Sequence, residues 1–98
     1  MELAKVVGTV VSTVKDKKLS GQKLLIVNLV SPDGTPTKNH VVAVDTVGAG
    51  EGEMVLIVRG SSARQAKNME TTPTDTSIIA IIDLLEFQGK TVFKKFEK

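Results

Sequence analysis

Apolar residues along the chain fall in short runs separated by glycine-, proline- and aspartate-bearing turns, the spacing of a sheet protein. Residues 6–14 carry Val6, Val7, Val10, Val11 and Val14 with Thr9 and Thr13. Such β-branched side chains lose rotamer freedom in a helix and pack well on a pleated surface. Gly8, in the middle of that run, predicts a bulge or a bend. Residues 24–30, LLIVNLV, are apolar at both parities, interrupted by Asn28. A strand apolar on both sides needs cover on both, and one small sheet supplies one, so this run points to a partner subunit.

Ser31-Pro32-Asp33-Gly34 predicts a tight turn, because proline presets its own φ and glycine accepts a positive one. The next strand, residues 40–47, sets Val42 and Val44 on one face and Ala43 and Asp45 on the other. A glycine loop, Gly48-Ala49-Gly50-Glu51-Gly52-Glu53, leads into a short apolar strand over residues 54–58. One short helix is expected over residues 63–68: Ser62 and Gln65 have the spacing of a capping box, and Thr71-Thr72-Pro73 stops the helix. Residues 78–87, IIAIIDLLEF, make the strongest apolar run, and their isoleucines favour one long strand over a helix. Gln88-Gly89-Lys90 then turns into a last strand, residues 91–96, with Val92 and Phe96 on one face and Phe93 on the other. The sum is an all-β chain of five to six strands with one short helix, the inventory of a small OB-like β-barrel.

Length fits this picture. At 98 residues there is room for a single domain, 1–98, with a core over about 3–87 and a C-terminal strand or tail over 88–98. A domain this small has a thin core, and with three aromatics, Phe87, Phe93 and Phe96, aliphatic side chains must fill it. The absence of cysteine excludes disulfides, thiolate metal sites and cysteine nucleophiles, and is compatible with the cytoplasm. No apolar run approaches the roughly 18 residues of a membrane-spanning helix, and Met-Glu-Leu-Ala-Lys is no signal core, so a cytoplasmic protein without a membrane partner is expected. Thirteen basic against eleven acidic residues leave a net charge of +2, too little to imply a polyanionic partner.

The candidate chemistry is sparse. The glycine loop lacks the third glycine of a dinucleotide fingerprint, precedes a strand rather than a helix, and carries Glu51 and Glu53, which repel phosphate. It reads as a tight loop or a close backbone approach. His40 is the sole histidine, with no local carboxylate pair to make a metal site and no nucleophile to serve. Asp83 interrupts an apolar run and reads as a structural aspartate at a solvent or interface face. Asp45 and Asp75 lie beside strand ends, where carboxylates cap backbone donors. Lys90, Lys94, Lys95 and Lys98 invite a nucleic-acid reading, yet single-strand binders stack bases on exposed aromatics, and the chain has no Tyr or Trp. No catalytic residue, cofactor site or metal site is expected.

Longer motifs are more specific. Residues 4–13 (AKVVGTVVST), with Lys15, Leu19, Gly21 and Lys23-Leu24-Leu25, then Val44-Asp45-Thr46-Val47-Gly48-Ala49-Gly50-Glu51-Gly52-Glu53, Val55-Leu56, Arg59-Gly60-Ser61-Ser62-Ala63-Arg64, Thr74-Asp75 and IIAIID at 78–83, resemble the EutN/CcmL family, the vertex proteins of bacterial microcompartment shells such as carboxysomes. The resemblance covers about residues 3–85. Met54 stands where carboxysomal members often have tryptophan. The resemblance implies a non-catalytic structural subunit. It would form a homopentamer at the five-fold vertices of a polyhedral shell, beside hexameric shell proteins of another fold. Gly48, Ala49 and Gly50 are then the candidate loop at the five-fold axis, where only small residues fit. Leu25, Val27, Ile79 and Ile81, from the two runs apolar on both faces, are the candidate subunit interface. The other readings are an OB-fold nucleic-acid-binding module, which requires exposed aromatics, and a small enzyme or ligand carrier, which requires a polar constellation.

Overall fold

The structure is a computed structural model, which describes residues 1–13, 21–60 and 75–96. Seven strands run in chain order: β1 (Glu2–Val10), β2 (Lys23–Val30), β3 (Pro36–Asp45), β4 (Met54–Arg59), β5 (Thr76–Ile81), β6 (Leu84–Phe87) and β7 (Lys90–Lys94). The first five close into a barrel of order β1-β2-β3-β5-β4, and β6 and β7 form a separate two-stranded sheet. The all-β barrel expected from the alternating runs is therefore present. The short helix expected over 63–68 lies outside the described residues.

The barrel is antiparallel except at one seam. β1 pairs with both β2 and β4, β2 with β3 and β4 with β5. β3 meets β5 in parallel through just Val44↔Ser77 and Asp45↔Ile78. The Thr46 hydroxyl donates to the Ile78 carbonyl at 2.7 Å and reinforces that short ladder.

Gly8 does what its position in the valine run implied. The β1–β2 register jumps between Val6↔Val27 and Gly8↔Ile26, leaving Val7 as the extra residue of a bulge. A Cβ at Gly8 would sit 3.3 Å from Cδ1 of Ile26, so glycine admits the partner strand's side chain. The bulge also exchanges parities: Ala4 and Val6 point into the core, while beyond it Gly8 and Val10 lie in register with the outward residues Ile26 and Leu24.

A second irregularity falls between Asn28 and Val30. There the Asn28 amide donates to the carbonyls of Thr37 and Asn39 at 2.9 and 3.0 Å, and the Thr37 hydroxyl donates to the Leu29 carbonyl at 2.8 Å. The polar break in the apolar run thus satisfies the backbone groups that the kinked ladder leaves open.

Ala4, Val6, Leu25, Val27, Ala43, Ala49, Val55, Ile57 and Ile78 fill the core, with Leu29, Val41 and Ile81 packed against it. All are aliphatic, as the scarcity of aromatics required.

The run at 78–87 is two strands rather than one. Pairing with β4 continues through Ile82, whose N–H donates to the Met54 carbonyl at 2.8 Å. The chain then bends at Asp83, a residue disfavoured inside strands. The Asp83 carbonyl accepts the Lys95 N–H at 2.9 Å, closing the root of the β6–β7 hairpin.

Candidate assembly surface

Three rows of paired residues cross the outer face of β1–β2–β3. They read Lys5–Asn28–His40, Gly8–Ile26–Val42 and Val10–Leu24–Val44, the last of which ends in the fully buried Val44. The first is polar and the other two are apolar. Val42 is 48% exposed and the bulge residue Val7 41%; Val10, Leu24 and Ile26 are half-buried. An antiparallel sheet with one face on a core normally turns polar side chains to water on the other. This one presents an aliphatic stripe.

The second apolar surface belongs to the hairpin. Leu85 pairs with Phe93 across β6 and β7, and Phe87 shares their face by alternation, while Val92 is the extra residue of a bulge. Phe87 remains 37% exposed and Leu84, on the opposite face, 50%. The hairpin touches the barrel side through Val92 and Lys95. Val92 packs on the β2–β3 turn, where a Cβ at Gly34 would come within 3.4 Å of its own. The Lys95 ammonium lies 2.8 Å from Oε2 of Glu53. That lysine also stands 5.5 Å over the Phe96 ring.

The glycine loop is stitched into this region. The Gly52 N–H donates to the Val6 carbonyl at 2.8 Å, and the Val6 N–H to the Glu53 carbonyl at 2.9 Å. The Glu53 side chain accepts the Gly50 N–H at 2.7 Å on its other oxygen. Lys95 first, and the Gly50 N–H after it, hold the Glu53 carboxyl below the usual glutamate value, and the same pairing holds the Lys95 ammonium above the usual lysine value. Lys23 donates to the Ala49 carbonyl at 2.8 Å.

The residues expected at the five-fold axis separate. Gly48 is exposed, with φ +79° and open space where a Cβ would stand. Gly50 is half-buried. Ala49 is fully buried in the core, so its small side chain is required by the barrel's own packing.

The four residues expected at a subunit interface separate too. Leu25 and Val27 are 1% and 0% exposed and belong to the core, out of reach of any neighbour. Ile81 packs against that core. Ile79 is half-buried, at a register shift between β4 and β5. The outward residues of β2 are their neighbours Leu24 and Ile26, one position out of phase. Since both parities of LLIVNLV are apolar, the sequence held no signal for which set faces in. Once the strand is placed, the signal is Gly8, whose bulge exchanges the parities of β1.

The remaining polar candidates have structural surroundings. His40 is exposed on the outer face of β3, opposite Asn28. Asp45 is buried and accepts the Val47 N–H at 3.1 Å, with Lys23 at 3.9 Å, the capping role that a carboxylate at a strand end implied. Asp75 is exposed and accepts the Thr76 hydroxyl at 3.2 Å. Arg59 and Glu2 pair at 2.6 and 2.8 Å, tying the end of β4 to the start of β1. Beside them Met1, Leu3, Leu29, Val30 and Pro32 line an open apolar hollow of about 280 Å³ whose charged group, Glu2, is already committed to Arg59. Among the described residues no three His, Cys, Asp or Glu side chains gather as metal ligands, and no helix is long and apolar enough to cross a membrane.

Fold and surface together define a small closed OB-like barrel whose distinctive features are uncovered apolar faces. Residues 1–83 match the family model described as ethanolamine utilisation protein EutN/carboxysome. The chain is 46% identical to the bacterial microcompartment shell vertex protein EutN of Escherichia coli K12 over 97% of its own length and all of that protein's. It is 47% identical to the carboxysome shell vertex protein CcmL of Nostoc over 97% and 95% of the two chains. Among solved structures, Gloeobacter violaceus CcmL superposes with a TM-score of 0.93 at 39% identity, over 99% of this chain and 100% of that one. The structure described as GrpN pentameric microcompartment shell protein, from Rhodospirillum rubrum, superposes with a TM-score of 0.82 at 46% identity, covering 89% and 99%. The chain belongs to the EutN/CcmL family, as its longer motifs implied.

Proposed function

We propose that the chain is a structural, non-catalytic subunit of a bacterial microcompartment shell, assembling as a pentamer that caps the five-fold vertices. The observation that carries this reading is the near-full-length similarity to shell vertex proteins, a pentameric one among them. The outward aliphatic stripe on β1–β2–β3 supports it, because a surface of that kind calls for a protein partner. A closed ring of identical subunits joins one patch of each copy to a different patch of the next. A flat lattice of hexameric shell proteins needs five-fold points to close into a polyhedron, which makes hexameric shell proteins the further partners and the cytoplasm the place of assembly. Within the ring, Gly48 is the exposed member of the glycine loop and the candidate to approach the axis. The nucleic-acid alternative is not favoured: the outer face of β1–β2–β3 is aliphatic and offers no ring on which a base could stack.

Native mass measurement of the purified protein tests the assembly, with a pentamer as the expected species. A stable monomer at micromolar concentration would overturn it. Omitting the chain from a reconstituted shell should leave the shell open at its corners, and intact closed shells without it would remove the vertex role.

A further inference from the structure

β2 pairs along the whole of β3, from Lys23↔Asp45 to Val30↔Pro36. On the other side of β3, β5 meets it at Val44 and Asp45 alone. The register decides which residues turn their backbone to that open side. Val6 donates to the Glu53 carbonyl and accepts from the Gly52 N–H, so its partner Val27 directs its own N–H and C=O to β3 rather than to β1. Val27 pairs with Val41, and the carbonyls of Asn39 and Thr37 accept from the Asn28 amide on β2. Val41, Asn39 and Thr37 therefore face β2. The alternate residues Lys38, His40 and Val42 point their N–H and C=O away from it.

All three are exposed, and no described strand lies along them. A strand edge of this kind is a template for another extended chain: main-chain bonds hold it and side chains select it. Selection here is basic and apolar. Lys38 and His40 stand at the edge with Val42 beyond them, and Lys5 lies in the row of His40. β3 carries no Asp or Glu before Asp45, and Lys38 has no ion pair among the described residues. A second copy of β3 fits poorly. Two such edges laid antiparallel set Lys38 against Val42 of the second copy and His40 against its own counterpart, which leaves both lysines without a counter-charge.

We infer that the β3 edge from Lys38 to Val42 is a docking strand for an extended segment of another protein. The segment adds antiparallel, with an apolar side chain opposite Val42 and carboxylates opposite His40 and Lys38. It pairs with the open N–H and C=O groups and lengthens the β1–β2–β3 sheet by one strand. Pro36, which has no N–H to offer, limits the docking strand at one end, and the β5 ladder limits it at Val44 at the other. The contact goes beyond the ring reading, because it gives the subunit a partner other than its own copies.

A synthetic peptide of sequence TVTETET, acetylated and amidated, is the probe, with TVTKTKT as its counterpart. Amide hydrogen exchange on the purified protein should show Lys38, His40 and Val42 slowed by the glutamate peptide at millimolar concentration. Val41, already bonded to β2, should be unchanged. Lys38→Glu should weaken the glutamate peptide about threefold, the scale of one exposed ion pair, and strengthen the lysine peptide by as much. His40→Pro removes the central edge donor and none of the bonds to β2, so it should abolish the protection while circular dichroism reports the parent fold. Equal binding of the two peptides would overturn the carboxylate chemistry, and with it the proposal. So would the absence of protection at those three amides, or protection already present without peptide and lost on dilution, which would place a second copy on the edge.

Discussion

The barrel and the hairpin are built from the same residue types and stand at opposite ends of self-sufficiency. Val27 in the barrel sits between two paired strands and is fully buried. Phe87 in the hairpin has one paired strand beside it and keeps over a third of its surface in water. The difference lies in topology rather than composition. Closure gives every barrel strand two neighbours and an interior, while two strands alone have neither. Hydrophobic side chains stabilise where the chain itself completes their surroundings; elsewhere they wait for another molecule.

The contrast is broken most severely from inside the barrel. Ile57→Ala removes a fully buried side chain from the core and should cost about 2–5 kcal/mol, read as a large fall in the thermal midpoint by circular dichroism. Ala49→Phe follows. Because Ala49 belongs to that same core, the added ring should cost at least about 1–3 kcal/mol and unfold the subunit along with any ring it forms. An intact barrel that merely lost its ring would return Ala49 to an axis role.

The smallest effect sharpens the comparison from the hairpin side. Glu53 has its carboxyl held below the usual 4.5 by Lys95 and the Gly50 N–H. Its contribution is therefore complete above pH 4.5 and is lost as the pH falls through the folded value. Hydrogen exchange should show the hairpin amides opening in acid while core-strand amides stay protected, and Glu53→Gln should loosen the hairpin at neutral pH and abolish its acid step. A hairpin equally protected at neutral and acid pH would show that the clasp contributes nothing.

Strand runs were legible because alternation and β-branching mark a pleated surface wherever it lies, and the family was legible from motifs that include Val44–Gly52. Parity was not. The interface residues expected at Leu25, Val27 and Ile81 face inward because a run apolar at every position carries no phase. The break at Asp83 was hidden in the same way, inside a run whose apolar character continues past it in Leu84, Leu85 and Phe87 although its pairing with β4 does not. Ala49 was masked by its neighbours: between two glycines it reads as loop, although it is the one side chain of that triplet able to fill a core.

The seam between β3 and β5 bears on how the molecule comes to exist at all. Val44 and Ser77 meet across the longest sequence separation of any strand pairing in the barrel except that of β1 with β4, and two residue pairs with the Thr46 hydroxyl hold them. The β1–β2–β3 meander can form locally, whereas this closure demands that a long stretch of chain be gathered before anything is returned for it. The entropic cost of gathering the chain thus falls most heavily on barrel closure. Until it happens the outer stripe and the edge of β3 are on display together, so a cell making many copies at once has an interval in which premature association competes with the correct subunit.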